Sequence, residues 1–484
     1  MITAATADAV RELERRTMIS TGDDALMQRA AAGLAAVLAA ELRHRAGHLY
    51  GTAVTLLVGP GNNGGDALFA GARLAARGVA VRAVRCLGRP HAAGLAALLA
   101  AGGRVVDLPE DGRLSGPVTL VVDGVLGIGG RPGLPEPVAR LAEAVAEDGW
   151  PLVAVDLPSG VDADTGAVAG AAFCADRTVT FGVHKACHLL EPARGRCGVV
   201  ERVDIGLEAA DTTAPGWLHA LEDDDLALGW PYPGAASDKY ARGVVGLDAG
   251  SDQYPGAGVL STTGAVHAGA GMVRFLGADR PAELVRRRLP DVVFSPGRVQ
   301  AHLLGSGWGD RPDGADVVAA ALDTGLPAVV DADGLRFLPD HLPASWLLTP
   351  HAGELARLLD RERGWVEEDP LRAVRAAAAR TGATVLLKGA SQLVASPEHG
   401  WVGVAVPGPA WTARAGSGDV LGGICATLLA AGLPAWRAGL LGASVQAVAA
   451  RTHPGPLPPH ALAERLPETV GRLEARARAL GVRP

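Results

Sequence analysis

"AVTLLVGPGNNGGDALFAGARLAARG" (residues 53–78) decides how the first half of the chain is read. Six mostly apolar residues, 53–58, run into a glycine-rich turn, and an Ala-rich stretch follows. A buried strand feeding a helix has that pattern. The turn sets Gly59, Gly61 and Gly64 in G-x-G-x-x-G spacing, where backbone N–H groups at a helix start can approach phosphate oxygens. It also holds the only two asparagines of the 484 residues, Asn62 and Asn63. A dehydrogenase loop needs an acid about twenty residues on, to hold a ribose. No Asp or Glu occurs between Ala67 and Val106; the second strand leads instead into Arg85 and Arg89, which read as solvated. The loop is a phosphate cradle that lacks its dehydrogenase partner.

Outward from this stretch, runs 79–84, 118–123, 151–156 and 177–181 read as further buried strands. Stretches 66–77 and 135–147 read as helices between them, with a helical lead over 6–18 and 24–45. Apolar strands separated by helices imply a parallel sheet covered on both faces. The alternation falters at "LEAADTTAPGWLHALEDDD" (207–225), where the boundary is placed, giving domains 1–212 and 222–484. Strands resume at 243–248, 272–277, 299–305, 326–331, 346–349 and 384–388, and three helices are expected after Gly416. The fold class is α/β: a Rossmann-like doubly wound sheet, then a second, different α/β domain.

Composition narrows the function. A net charge of −7 and 4% aromatic residues argue against nucleic-acid binding. The five cysteines show no C-x-x-C spacing, so thiols in a reducing cytoplasm are expected rather than disulfides or zinc. Asp8, Glu12 and Glu14 do not suit a signal peptide, and the apolar run Ala30–Ala40 is too short to cross a bilayer. Of 45 basic residues only Lys185, Lys239 and Lys388 are lysines. Where lysine survives such a bias, a compact point charge such as one at a phosphate is a reason to keep it.

Oxygen-bearing residues gather where the strands end. Asp66 follows the glycines, Asp123 precedes "GVLGIGGRPG", and Asp156 precedes "LPSGVD". Asn63, Asp123 and Ser159 offer oxygens without sulfur or imidazole, a set suited to a hard cation. The alternative is that Asn62 and Asn63 are turn residues that tolerate left-handed dihedrals. In the second half, "TARAGSGDVLGGICATLLAAG" (412–432) sets Gly416, Gly418 and Asp419 at the start of an apolar helix. Such a turn can surround an anion with amides while the aspartate accepts a proton from an attacking hydroxyl. An aspartate N-cap on a glycine-rich turn would look the same.

"GPGNNGGD", "DGVLGIGGRPG" and "AVDLPSGVDADTG" together resemble the NAD(P)H-hydrate epimerases, over about residues 7–206. The resemblance implies that Asn62, Asn63, Gly64, Gly65 and Asp66, with Gly127, Ile128, Gly129, Gly130, Arg131, Pro132 and Gly133, hold hydrated NADH or NADPH. Asp156 would be the acid/base, and Asn63, Asp123 and Ser159 would bind potassium. Lys185, in "FGVHKACH", sits where that family also shows a lysine.

"DAGSDQYPGAGVL", "VVDADGL", "LLTPHAGE" and "LLKGASQ" resemble, over about 226–475, the ribokinase-like NAD(P)H-hydrate dehydratases. That implies nucleotide contacts at Lys388, Gly389, Ala390, Ser391, Gln392 and Gly418. Gly307 and His351 would touch the hydrated cofactor, and Asp419 would act on its hydroxyl. The sequence departs from that family at Trp411, where a methionine is usual, and at Arg336, where an asparagine is common. The implied enzyme is bifunctional, with Mg2+ on the donor phosphates and ADP as donor, leaving AMP. A homo-oligomer is expected. A ribokinase-like small-molecule kinase and a non-catalytic NAD(P)-binding sensor are the rival readings.

Overall fold

The computed structural model describes residues 1–482, and its contacts divide the chain into two compact units, Thr3–Thr212 and a second from Thr213 on that also takes Met1–Ile2. In the first unit seven strands pair in parallel, in the order Arg104–Asp107, Ala80–Arg85, Ala53–Val58, Leu120–Gly124, Leu152–Val155, Arg177–Phe181, Val199–Val203. From Ala53–Val58 the chain steps out to one edge, then returns on the other side at Leu120–Gly124. A crevice opens at the carboxyl ends of strands at such a switch point. Every residue of the strands at 53–58, 120–124 and 152–155 is buried, which is why each reads as an apolar run. Gly59 is required there, because a Cβ would lie 1.9 Å from the Val125 carbonyl oxygen. That close approach seats the 123–133 loop against the glycine-rich turn.

The edge strands Arg104–Asp107 and Val199–Val203 are not foreseen from sequence, since half-exposed strands carry charges in place of an apolar run. Arg85 is exposed as expected, but it pairs with Asp107 across that edge. The helical lead forms Ala7–Thr21 and Asp23–Ala46. By length and composition, Asp24–Ala46 could cross a membrane, which the run Ala30–Ala40 alone did not suggest. In this fold Leu34, Leu38 and Leu42 on it are fully buried in the core of the first unit, with Leu56 and Leu68.

The second unit orders its strands Met272–Phe275, Val244–Asp248, Ala301–Leu304, Ala328–Val330, Leu347–Leu348, Thr384–Leu387, Leu393–Ala395, Val402–Val404, Trp217–Ala220. Pairing is parallel except around Leu393–Ala395, which runs against both neighbours. Trp217–Ala220 pairs with Val402–Val404, so the second unit begins inside the stretch read as a linker. The acidic run there caps the helix Asp223–Gly229, where carboxylates favour the N-terminal end of the dipole. Four helices, not three, follow Gly416: Ser417–Ala430, Ala435–Arg451, the short Pro459–Glu464, and Leu466–Ala479.

The helix Ser417–Ala430 packs so closely on Pro255–His267 that a Cβ at Gly423 would sit 2.1 Å from the Ser261 carbonyl oxygen. A Cβ at Gly264 would sit 2.5 Å from the Val420 oxygen. This contact holds the start of Ser417–Ala430 in place. Gly423→Ala is expected to lower stability of the second unit by about 1–3 kcal/mol through overpacking. Gly471→Ala, in a helix with open space around it, is expected to be neutral or to stabilise by up to about 1 kcal/mol. Thermal unfolding of the two variants beside wild type checks the contrast.

Candidate active sites

In the first unit the helix Asn62–Ala75 begins directly after the turn, with Asn62 exposed and Asn63, Gly64, Gly65 and Asp66 buried. The Asn63 amide donates to the Leu126 carbonyl at 2.9 Å, and the Cβ of Asn63 lies 3.2 Å from where a Gly127 Cβ would be. The turn and the 127–133 loop therefore meet. Gly133 closes the loop by donating to the Gly160 carbonyl at 2.8 Å.

Asp123 is fully buried, and burial pushes its carboxyl up to about 6. Its partners are the Ser159 hydroxyl at 2.6 Å and the N–H groups of Ser159 and Val125 at 2.7 and 3.2 Å. These donors are all neutral. A buried carboxyl with neutral partners, and Asn63 and Ser159 meeting at the same Leu126 carbonyl, is an oxygen-rich set without sulfur or imidazole, of the kind that a monovalent cation fits.

Asp156 ends the next strand in a left-handed conformation, φ +66°. Non-glycine residues pay strain for that, and such outliers gather at functional sites. Its Oδ1 accepts from Lys185 Nζ at 2.5 Å and from the Thr180 hydroxyl at 3.0 Å. Lys185 is itself buried and also donates to Thr180 Oγ1, Phe181 O and Val183 O at 3.0, 3.1 and 3.2 Å. His188 completes the support. Its Nδ1 accepts from the Lys185 N–H at 3.1 Å, so Nε2 donates to the Asp156 carbonyl at 2.9 Å. Burial, then Lys185, push the imidazole down to about 3, so it stays neutral.

Two groups that sequence reasoning missed belong here. Glu14, on Ala7–Thr21, is half-buried, and its carboxyl is raised by burial and then lowered in part by Lys185, with Asp156 raising it further. Arg11 lies one turn earlier and donates to the Ile128 carbonyl of the loop at 3.1 Å. Their i,i+3 spacing puts them on one helix face, the signal that could have paired them.

In the second unit Asp331, at the carboxyl end of Ala328–Val330, is buried and accepts from Lys388 Nζ at 2.7 Å. Thr349 and Ser306 hydroxyls donate to its two oxygens at 2.8 and 3.1 Å. Burial works to raise the carboxyl, but Lys388 and the two hydroxyls outweigh it and hold it below its usual value. Asp331 lies within the motif "VVDADGL" and was not singled out.

A Cβ at Gly418 would lie 3.1 Å from Lys388 Nζ, so the lysine reaches the start of the helix Ser417–Ala430. Asp419 follows, half-buried. Burial first, then the charge of Asp331, push its carboxyl up to about 7 against the opposing Lys388. Gly389 and Ala390 are exposed on the turn after Thr384–Leu387, while Ser391 and Gln392 are half-buried.

His351 is brought beside Lys388, whose N–H donates to the Pro350 carbonyl at 2.8 Å. Its ring, however, caps the helix Ala352–Leu359, accepting from the Gly353 and Glu354 N–H groups. Gly307 packs against Tyr254 and Ala257. Arg336, the departure from the family pattern, donates to the Gly309 carbonyl at 2.6 Å and to Asp333 at 3.1 Å. It clasps the turn that carries Gly307. Trp411 lies on the turn Ala410–Thr412 and is 54% exposed. Lys239, the remaining lysine, is exposed with its ammonium 5.3 Å from the Tyr240 ring. A cavity of about 350 Å³ lined by Leu335, Arg336, Glu354, Arg357 and Arg380 adjoins the second site through Glu354, which stands 4.0 Å from Lys388.

Two α/β units, one with an acidic crevice at a glycine-rich turn and one with an aspartate in the first turn of a helix that starts after a glycine, define a two-site enzyme of nucleotide chemistry. The second unit matches the NAD(P)H-hydrate dehydratase family model over residues 245–468, and the first matches the YjeF-related protein N-terminus model over 23–187. The bifunctional NAD(P)H-hydrate repair enzyme of Mycobacterium tuberculosis is 45% identical over 443 residues, covering 89% of this chain and 90% of its own. That of Mycobacterium leprae is 43% identical over 463 residues, with 93% and 94% covered. The ADP/ATP-dependent NAD(P)H-hydrate dehydratase of Bacillus subtilis, co-crystallised with ATP/Mg2+, is 23% identical with a TM-score of 0.48, covering 55% of this chain and all of that one. The chain belongs to the family of bifunctional NAD(P)H-hydrate repair enzymes.

Lys185→Met would leave the Asp156 carboxylate buried without its cation. It is expected to destabilise the first unit by about 3–5 kcal/mol, and adding Asp156→Asn should recover part of that loss. Hydrogen exchange across Arg177–Phe181 measures both.

Proposed function

We propose that the first unit interconverts the R and S forms of hydrated NADH and NADPH, and that the second dehydrates the S form at the expense of ADP, giving AMP and phosphate. The observation that carries this reading is Asp419, a half-buried carboxyl at the start of the helix Ser417–Ala430, beside Lys388 and raised to about 7. A base with a pKa near the working pH is suited to accept a proton from a hydroxyl. That hydroxyl, on C6 of the hydrated ring, attacks the terminal phosphoryl of the donor as Asp419 takes its proton. N–H groups at the helix start and Lys388 face the charge that builds on the phosphoryl oxygens. The ring nitrogen's lone pair then expels phosphate from C6, a proton leaves C5, and the dihydronicotinamide is restored. Mg2+ bound with the donor would supply charge compensation on its phosphates, beside Lys388 and the helix start at Gly418.

In the first unit the helix start at Asn62–Asp66 and the loop 127–133 hold the pyrophosphate-bearing substrate. Asp156 stands where the C6 hydroxyl would come, steadied by Lys185 and Thr180. Potassium would be held by the oxygens of Asn63, Asp123 and Ser159, and the chemistry it supplies is compensation of the buried Asp123 charge. The reading extends to a cytoplasmic homo-oligomer; the five unbridged cysteines support a reducing compartment.

The test is to incubate the full chain with a mixture of both epimers of hydrated NADH, Mg2+, K+ and ADP or ATP, and to follow return of reduced-nicotinamide absorbance. Wild type should recover the whole mixture. Asp419→Asn should recover none of it, and Asp156→Asn only the share present as the S form. Recovery of both epimers by Asp156→Asn would remove the role given to Asp156.

A further inference from the structure

Asp66 stands apart from the other acids of the first crevice. It is 8% exposed, sits in the first turn of the helix Asn62–Ala75, and its Oδ1 has no hydrogen-bond partner. Asp123 is satisfied by Ser159 and Val125, and Asp156 by Lys185 and Thr180. A buried carboxylate oxygen without a donor costs more than the neutral carboxylic acid in the same place. The groups acting on it come from three other elements: Asp156 from the end of Leu152–Val155, Glu14 from Ala7–Thr21, and Lys185 from the strand His184–Lys185. Burial, then the charges of Asp156 and Glu14, raise its carboxyl well above the usual range, and Lys185 only partly opposes them.

The crevice thus holds two carboxyls with different surroundings, one held in an ion pair with Lys185 and one buried with an unpartnered oxygen. Two carboxyls in such different environments are the pattern of an acid beside a base. We propose that Asp66 is the general acid of epimerisation, with Asp156 as its base. This rests on the epimerase reading of the first unit.

The step balances without a further reactant. Asp66 gives its proton to the C6 hydroxyl as the C6–O bond breaks, and water leaves. The ring nitrogen's lone pair forms a C6=N iminium. A water then adds to C6 with the other configuration, forming the new C6–O bond, and Asp156 takes its proton. The enzyme ends with Asp66 ionised and Asp156 protonated. That form runs the reverse conversion, or exchanges protons with solvent to start again.

The experiment follows conversion of purified R-form hydrated NADH to the S form by the full chain, with no nucleotide present. Asp66→Asn is expected to lower kcat about 10²–10⁴-fold with KM changed less than about threefold. Asp66→Glu should regain part of kcat. Wild-type kcat/KM should fall as pH rises, because the acid must hold its proton, and the position of that fall should move in Asp66→Glu. Unchanged ADP-dependent dehydration of the S form and unchanged hydrogen exchange across Ala53–Val58 would exclude misfolding as the cause. A kcat within about threefold of wild type, or a rise in KM alone, would overturn the assignment and leave Asp66 a binding contact. Failure of wild type itself to interconvert the forms would instead remove the epimerase reading on which the assignment stands.

Discussion

Each crevice is built around an aspartate–lysine pair at the carboxyl end of a parallel strand, with both side chains buried in the first unit and a half-buried lysine in the second. Asp156 pairs with Lys185 at 2.5 Å in the first unit, and Asp331 with Lys388 at 2.7 Å in the second. Two of the three lysines in the chain are used this way. Removing a charge from water is expensive, so a buried pair persists only where hydrogen bonds satisfy both ends. In the first unit the Thr180 hydroxyl and the carbonyls of Phe181 and Val183 complete both shells; in the second the Thr349 and Ser306 hydroxyls complete that of Asp331, while Lys388 is only half-buried. What the pairs provide is a fixed local field. In the first unit it sets one carboxyl against its neighbours Asp66 and Glu14. In the second, Asp331 raises the neighbouring Asp419 while Lys388 restrains it.

The sheets place these pairs, and glycines let the partner segments come close enough to use them. Without a side chain at Gly59 the 123–133 loop can lie on the turn, and at Gly423 and Gly264 two helices can touch backbone to backbone. Rigid elements on both sides of a crevice hold reacting groups more accurately than free loops do. The strain at Asp156 belongs to the same arrangement. Its left-handed backbone aims the side chain at Lys185 while its carbonyl is held by His188.

Much of this was legible because parallel strands buried on both faces are written as continuous apolar runs. The central strands of both sheets, the helix after the glycine turn, and Asp156 and Asp419 at element ends follow from that. Edge strands such as Arg104–Asp107 and Val199–Val203 were not legible, since half-exposed strands mix charges into the pattern. Trp217–Ala220 was hidden in a polar stretch because its pairing partner lies far along the chain. Glu14 entered the sequence reading only as a charge unsuited to a signal peptide and Arg11 not at all; what brings them to the crevice is the tertiary fold, which half-buries Glu14 and sets Arg11 on the Ile128 carbonyl. His351 was legible as part of a motif, but its work as a helix cap depends on side-chain geometry. The upward shift of the Asp66 carboxyl comes from burial and the charges of Asp156 and Glu14, which spacing does not encode.

The pH dependence of dehydration tests most directly whether the buried field tunes the reacting carboxyl. With the S form of hydrated NADH, Mg2+ and ADP, kcat/KM of wild type should rise with pH through a single ionisation near about 7, where Asp419 loses its proton. Asp419→Asn should be slow and without that rise. A wild-type profile that stays level between roughly pH 5 and 9 would contradict the account, because no base set by the Asp331–Lys388 pair would then govern the reaction.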